Sequence, residues 1–169
     1  MPKFFVNEEQ IQKEDVKVIG NDVKHIKNVL REKVGNELII CNTSNKKDYL
    51  CKIEEISEEY IKCKIEKELE NNSESNIQVT IMQGLPKADK MELIIQKAVE
   101  LGAFEIIPVA MKRSVVKLDA KKEASKQKRW SLIAESAAKQ SKRSIIPEIS
   151  EVMSFKEAVA FAKNLDILL

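Results

Sequence analysis

Glycine is scarce in this chain of 169 residues: Gly20, Gly35, Gly84 and Gly102 are the only four, and none follows position 102. A phosphate-cradling P-loop or a Rossmann turn needs several glycines close together, so both are excluded, and no nucleophile elbow is present. Histidine occurs once, at His25. Cys41, Cys51 and Cys63 are an odd number, spaced 10 and 12 apart, with no Cys-x-x-Cys pair. That arithmetic argues against a disulfide framework and against a metal site, and predicts reduced core cysteines. No apolar run approaches the roughly 20 residues of a membrane helix, and the N-terminus "MPKFFVNEEQ" lacks a signal peptide's apolar stretch. The expectation is a cytoplasmic protein with no membrane partner.

Charge is abundant and unevenly placed. Lys and Arg number 29 against 27 Asp and Glu. The second half is the basic one: residues 77–169 hold 16 basic and 11 acidic residues, and Lys112 to Arg143 alone holds 11 basic and 3 acidic. Such a stretch draws a polyanion.

Up to about residue 72 the chain reads as short strands: "KFFV", "ELIICN", "DYLCKIEEI" and "EYIKCKIEK", with one short helix at 21–31 capped by Asn21 or Asp22. Strands of this length joined by polar turns predict a small β-barrel. "ENNSESN" (70–76) is polar and aperiodic, which puts a boundary there. Beyond it the pattern is α/β. "IQVTIMQG" (77–84) alternates like a strand, and "KADKMELIIQKAVELG" (87–102) is an amphipathic helix with Asp89 and Glu92 spaced for a capping box and Gly102 at its end. "FEIIPV" (104–109) reads as a buried strand, Lys126 to Lys142 as a second helix, 145–149 as a strand, and Ser154 to Lys163 as a third helix with Ser154 and Glu157 as cap. "IIP" at 106–108 and 145–147 suggests a repeat of α/β units on a parallel sheet. "LDILL" opens like one more strand, so either the polypeptide continues past Leu169 or a partner completes the sheet. Spacing rules thus yield an α/β domain with a basic edge beside a small barrel, with nucleic acid as the partner and no reaction specified.

A longer likeness adds to this. "MPKFFV", "HIKNVLREKVGNE" (25–37), "GLPKADKMELIIQKAVELGAFEIIPV" (84–109), "RSVVK" (113–117), "RW" (129–130) and "AESAAKQSKRSIIPEI" (134–149) run in order along the whole chain. This series resembles the RsmE family of ribosomal RNA uridine N3-methyltransferases. The resemblance implies a PUA-like, RNA-binding β-barrel at 1–72 and, at 73–169, the N-terminal part of a SPOUT-class methyltransferase domain, truncated before its knot. It implies transfer of a methyl group from S-adenosylmethionine to N3 of a uridine in 16S ribosomal RNA of the small subunit, by a homodimer. The family's cofactor pocket is built from glycine-rich C-terminal loops, so cofactor-binding residues are expected beyond Leu169 and the chain alone is expected to be inactive. Family members often carry Glu where this chain has Lys112 and Lys139.

Uracil N3 loses its proton as it attacks the methyl group, and a cation near the developing imide anion assists that step. Arg113 is the candidate for this catalytic role. Lys3, Arg31, Lys87, Lys90, Arg113, Lys117, Gln140 and Arg143 are the candidate RNA-binding residues, with Lys3, Arg31, Lys87 and Lys90 as phosphate contacts. Gln140 and Arg143 are equally candidates for a dimer contact, and His25 is read as a structural hydrogen-bonder. The alternative function is a non-catalytic RNA-binding module, if the chain truly ends at Leu169.

Overall fold

The computed structural model describes residues 1–70, 74–87, 89–112 and 120–167, with only the backbone of 120–122. The chain forms two compact units: Met1–Glu74 together with Lys142–Ile145, and Ser75–Ser141 together with Ile146–Leu169.

The first unit is a six-stranded sheet. Its strands are β1 (Lys3–Val6), β2 (Ile11–Gln12), β3 (Asp15–Ile19), β4 (Glu37–Asn42), β5 (Lys47–Ile56) and β6 (Tyr60–Leu69), in the spatial order β1-β4-β5-β6-β3-β2. Only β1 and β4 pair in parallel; the other neighbours are antiparallel. Alternation along the strands sends Phe4, Val6, Val16, Val18, Leu38, Ile40, Cys51, Ile53, Ile61 and Cys63 into one core. Phe4 and Val6 lie on β1 and Ile11 on β2, the two ends of the strand order, yet all three pack on that core. The sheet is therefore rolled as the expected small barrel. All three cysteines are buried and free, and burial pushes each thiol up to about 12.

Short α1 (Asn21–Lys24) follows β3 and widens into a π-turn over His25–Val29. Its buried residues, Val23 and Ile26, face the barrel core. Gly20, at φ 75°, precedes the helix, and neither Asn21 nor Asp22 supplies the side-chain cap expected of them.

The second unit holds a parallel sheet of β7 (Thr80–Gly84), β8 (Glu105–Ala110), β9 (Glu148–Ile149) and β10 (Met153–Ser154). β7 flanks β8 on one side. On the other, β9 pairs with the start of β8 and β10 with its end, so the two form one broken line. The break lies opposite Ile107 and Pro108, and Pro108 has no N–H to give the ladder. Helix α2 (Lys90–Glu100) packs on α3 (Ala120–Gln140), burying Met91, Ile95, Ala98, Val99, Trp130, Ala134, Ala137 and Ala138. Helix α4 (Phe155–Ala162) covers another face, where Ile107 and Val109 meet Ala158 with Met82, Met153 and Phe161.

Several boundaries differ from the sequence reading. α2 starts at Lys90, with Asp89 at the N-cap position as expected, but the Asp89 side chain accepts no cap bond; its carbonyl receives the Glu92 N–H, at 3.0 Å. Gly102, at φ 98°, does end that helix region as expected. α3 begins at Ala120 rather than Lys126. At α4 the capping box forms on both arms: Glu157 N–H donates to Ser154 Oγ at 3.3 Å, and Ser154 N–H to Glu157 Oε2 at 2.8 Å. The two "IIP" stretches are not equivalent, since 106–108 lies inside β8 whereas 147 precedes β9 and Ile145 belongs to the first unit. Residues 165–167, the described start of "LDILL", form no strand.

Candidate nucleic-acid interface

In a parallel α/β sheet the loops at the carboxyl ends of the strands converge and carry ligands. Here those ends are Gly84 on β7, Ala110 on β8 and Ser154 on β10. Behind Gly84 the chain turns through Leu85, whose N–H donates to the Val109 carbonyl at 2.9 Å, and Pro86 to Lys87. Gln83 Nε2 donates to the Gly84 carbonyl at 2.8 Å and fixes that turn. A Cβ at Gly84 would stand 3.2 Å from Met111 Cγ, so glycine there lets the loop after β8 lie close. Lys87, Lys90 and Lys112 are exposed around this edge, and none enters an ion pair among the described residues. Lys90 also stands at the first turn of α2, where a cation opposes the helix dipole. Three unpaired ammonium groups on one edge favour a polyanion. Among the described residues no group of three or more His, Cys, Asp or Glu is placed to hold a metal ion.

Two residues expected at an RNA surface are corrected by the structure. Lys3 is buried, and its three ammonium protons are taken by Asp48 Oδ2 at 2.7 Å, Ser144 Oγ at 2.6 Å and the Lys142 carbonyl at 3.2 Å. Ser144 Oγ also donates to Asp48 Oδ2 at 2.8 Å, and Cys41 Sγ to the Ser144 carbonyl at 3.4 Å. Lys3 is an internal cation with no donor left for a phosphate. Arg143 is 5% exposed, and its guanidinium grips Glu74, with Nη2 at 2.6 Å and Nε at 3.2 Å from Oε2. Glu74 Oε1 in turn accepts the Ser144 N–H at 2.8 Å and the Ile145 N–H at 3.2 Å. Burial pushes the Glu74 carboxyl up, but the bonds from Arg143 and the Ser144 and Ile145 amides outweigh it and hold it below the usual range. A patterned basic stretch cannot reveal that Asp48 and Glu74, 45 and 69 residues away in sequence, absorb these two cations.

The other candidates fall in three groups. Lys87 and Lys90 lie at the carboxyl edge just described. Arg31 is exposed in the first unit, and Gln140 is exposed at the last position of α3. Arg113 and Lys117 lie outside the described residues. His25 is exposed and meets Phe4 edge-on, with ring centroids 6.1 Å apart.

The profile of the RNA methyltransferase domain matches residues 73–169, and that of the RNA methyltransferase PUA domain matches 18–66. Ribosomal RNA small subunit methyltransferase E of Bacillus subtilis is 37% identical over 169 residues, covering 98% of this chain and 66% of the relative. The chain belongs to the RsmE-type family of RNA methyltransferases. Within this family, the Mesomycoplasma hyopneumoniae protein of the same name is 35% identical over 170 residues, with 100% of this chain and 70% of the relative covered. The crystal structure of the RsmE-type enzyme from Neisseria gonorrhoeae, bound to S-adenosyl methionine, superposes with a TM-score of 0.84 at 29% identity, over 94% of this chain and 65% of that one. The chain thus spans about two thirds of the length of the RsmE-type proteins it matches. Its first unit is the family's PUA-like barrel, and its second carries the α/β pattern of the RsmE-type methyltransferase domain.

Proposed function

We propose that this chain takes part in methyl transfer from S-adenosylmethionine to N3 of a uridine in 16S ribosomal RNA, as part of a homodimeric, cytoplasmic SPOUT-class enzyme. Residues 1–72 act as the RNA-gripping barrel and 73–169 as the N-terminal part of the methyltransferase domain. The observation that carries this reading is the row of lysines, Lys87, Lys90 and Lys112, with no ion pair among the described residues, at the carboxyl edge of the parallel sheet in an RsmE-type chain. On the uracil side, Arg113 is the proposed cation facing the imide charge as the N3 proton leaves. Lys87 and Lys90, with Lys117, hold the neighbouring backbone and orient the base; Gln140, at the far end of α3, is proposed as an RNA contact away from that edge.

The described residues do not fit S-adenosylmethionine at that edge. The one glycine there, Gly84, has its open side filled by Met111. Three unpaired ammonium groups also repel a sulfonium cation. This favours a second reading for the chain taken alone, an RNA-binding module whose edge receives the substrate. Calorimetric titration of S-adenosylmethionine separates the two. The 169-residue chain is expected to show no micromolar binding and no methylation of small-subunit RNA, whereas the longer Bacillus subtilis relative, run beside it, should do both. An N3-methyl group blocks Watson–Crick pairing, so modified uridine is read as a reverse-transcription stop. A stop-free, methylated product would refute the N3 assignment, and light scattering tests the homodimer.

A further inference from the structure

The turn that follows the barrel's short helix is exposed and chemically unusual. Val29, Leu30 and Val34 are 65%, 36% and 61% accessible, although Val23 and Ile26 already satisfy the buried face of the same helix. Lys24, Arg31 and Lys33 are exposed among them and form no ion pair among the described residues, while Lys27 is taken by Glu58 and Glu32 by Asn36. The backbone is wound wide here. Leu30 N–H donates to the His25 carbonyl at 2.9 Å and Glu32 N–H to the Ile26 carbonyl at 3.1 Å, and Arg31 is left at φ 55°. That left-handed conformation suits glycine and strains a residue with a Cβ. Lys13, Lys46 and Lys142 share this conformation, so strain alone marks no site; at Arg31 it coincides with exposed apolar side chains and cations that form no ion pair among the described residues.

A guanidinium plane beside branched aliphatic side chains matches the face and edge of a splayed-out base, and flanking ammonium groups match its phosphates. A paired stem offers neither, because its bases are stacked and its major groove is too deep and narrow for side chains to read. We propose that residues 29–34 bind an unpaired nucleotide of the RNA substrate, with Arg31 against the base, Val29, Leu30 and Val34 as its apolar shelf, and Lys24 and Lys33 on the adjoining phosphates. This rests on the RNA-methyltransferase reading above and names the form of RNA that the barrel takes.

Fluorescence anisotropy with a labelled 12-nucleotide oligouridylate and a 12-base-pair RNA duplex tests it on the full chain. The oligouridylate should bind about ten-fold more tightly than the duplex, the discrimination expected of one well-held base. Arg31→Gly should keep or raise the melting temperature while weakening oligouridylate binding about ten-fold, a split that a merely structural arginine would not give. Val29→Ser with Val34→Ser should weaken it several-fold with an unchanged salt slope, and Lys24→Ala with Lys33→Ala should lower the log-log slope by up to about two. Equal binding of both RNAs, or an Arg31→Gly chain that binds oligouridylate like the parent, overturns the proposal. So does a serine pair that abolishes self-association and leaves RNA affinity intact, which would make the patch a protein contact. If the parent binds neither probe nor small-subunit ribosomal RNA, the RNA reading itself fails; if it binds ribosomal RNA and Arg31→Gly does so equally, only the turn's role is lost.

Discussion

Replacing Lys3 by alanine should unfold the first unit far more readily while leaving RNA binding alone. The Lys3 side chain is 1% exposed and that of Asp48 11%. Asp48 Oδ1 already lacks a hydrogen-bond partner. Removing the ammonium group therefore leaves a buried carboxylate without its cation, with the Ser144 hydroxyl still donating to it, and strips the Lys142 carbonyl of its donor from Lys3. Breaking a buried pair from one side costs about 3–5 kcal/mol. At an ordinary urea dependence, that lowers the unfolding midpoint by about 2 M. Urea titration followed by far-ultraviolet circular dichroism measures it. Lys3→Met with Asp48→Leu should recover most of the loss, because the apolar pair leaves no charge uncompensated. A loss below about 1 kcal/mol in Lys3→Ala would equal that of a surface pair and refute the buried-cation argument. A fall in the salt slope of RNA binding would restore Lys3 as a phosphate contact.

Glu74 gives a pH signature. Its folded carboxyl titrates below the usual glutamate value, so its contribution is complete above that ordinary value and disappears as pH falls through the lower folded value. Glu74→Gln should flatten this acid limb in unfolding free energy measured from pH 6 to 3; an unchanged limb would mean that other carboxylates carry it. Ser154→Ala removes the hydroxyl arm of the α4 capping box, leaving the backbone N–H at 154 to Glu157, and should cost about 1 kcal/mol in thermal or urea unfolding; no loss would show that the helix is held by packing alone. The three buried thiols, each pushed up to about 12, should not react with a disulfide reagent at pH 8 until the chain unfolds, and prompt reaction of any one would show an opening of the barrel at that strand.

Much of the fold was legible because period and punctuation agree locally. Strands β1, β4, β5 and β6 follow runs rich in apolar and β-branched residues, and the Ser154–Glu157 box is a three-residue signal that the structure obeys. β3 went unread because "DVKVI" carries two charged residues and lies between polar stretches, and its pairing with β6 is settled some 45 residues later in the chain. The Asp89 cap failed for the opposite reason: the right residue types stand at the right spacing, but Asp89 has φ −87° and ψ 11° instead of the extended backbone a cap requires. The candidate site was legible only in part. Exposed Lys87 and Lys90 follow from a loop behind a strand, whereas the burial of Lys3 and Arg143 depends on acids that are close only after folding, which charge counting along the chain cannot see.

The passage of Lys142–Ile145 through the first unit has a consequence for synthesis on the ribosome. All six barrel strands have been made once Leu69 is joined, and their ladders can close then. The groups that cover Lys3, Asp48 and Glu74 arrive only with Lys142, Arg143 and Ser144, several seconds later at about 5–20 residues per second. In that interval the nascent barrel carries a half-covered charge pair and a lone carboxylate. The unit translated first therefore matures only after most of the second has been made, and a cut that keeps residues 1–74 and discards the rest preserves every strand of the barrel while removing the partners of its internal charges.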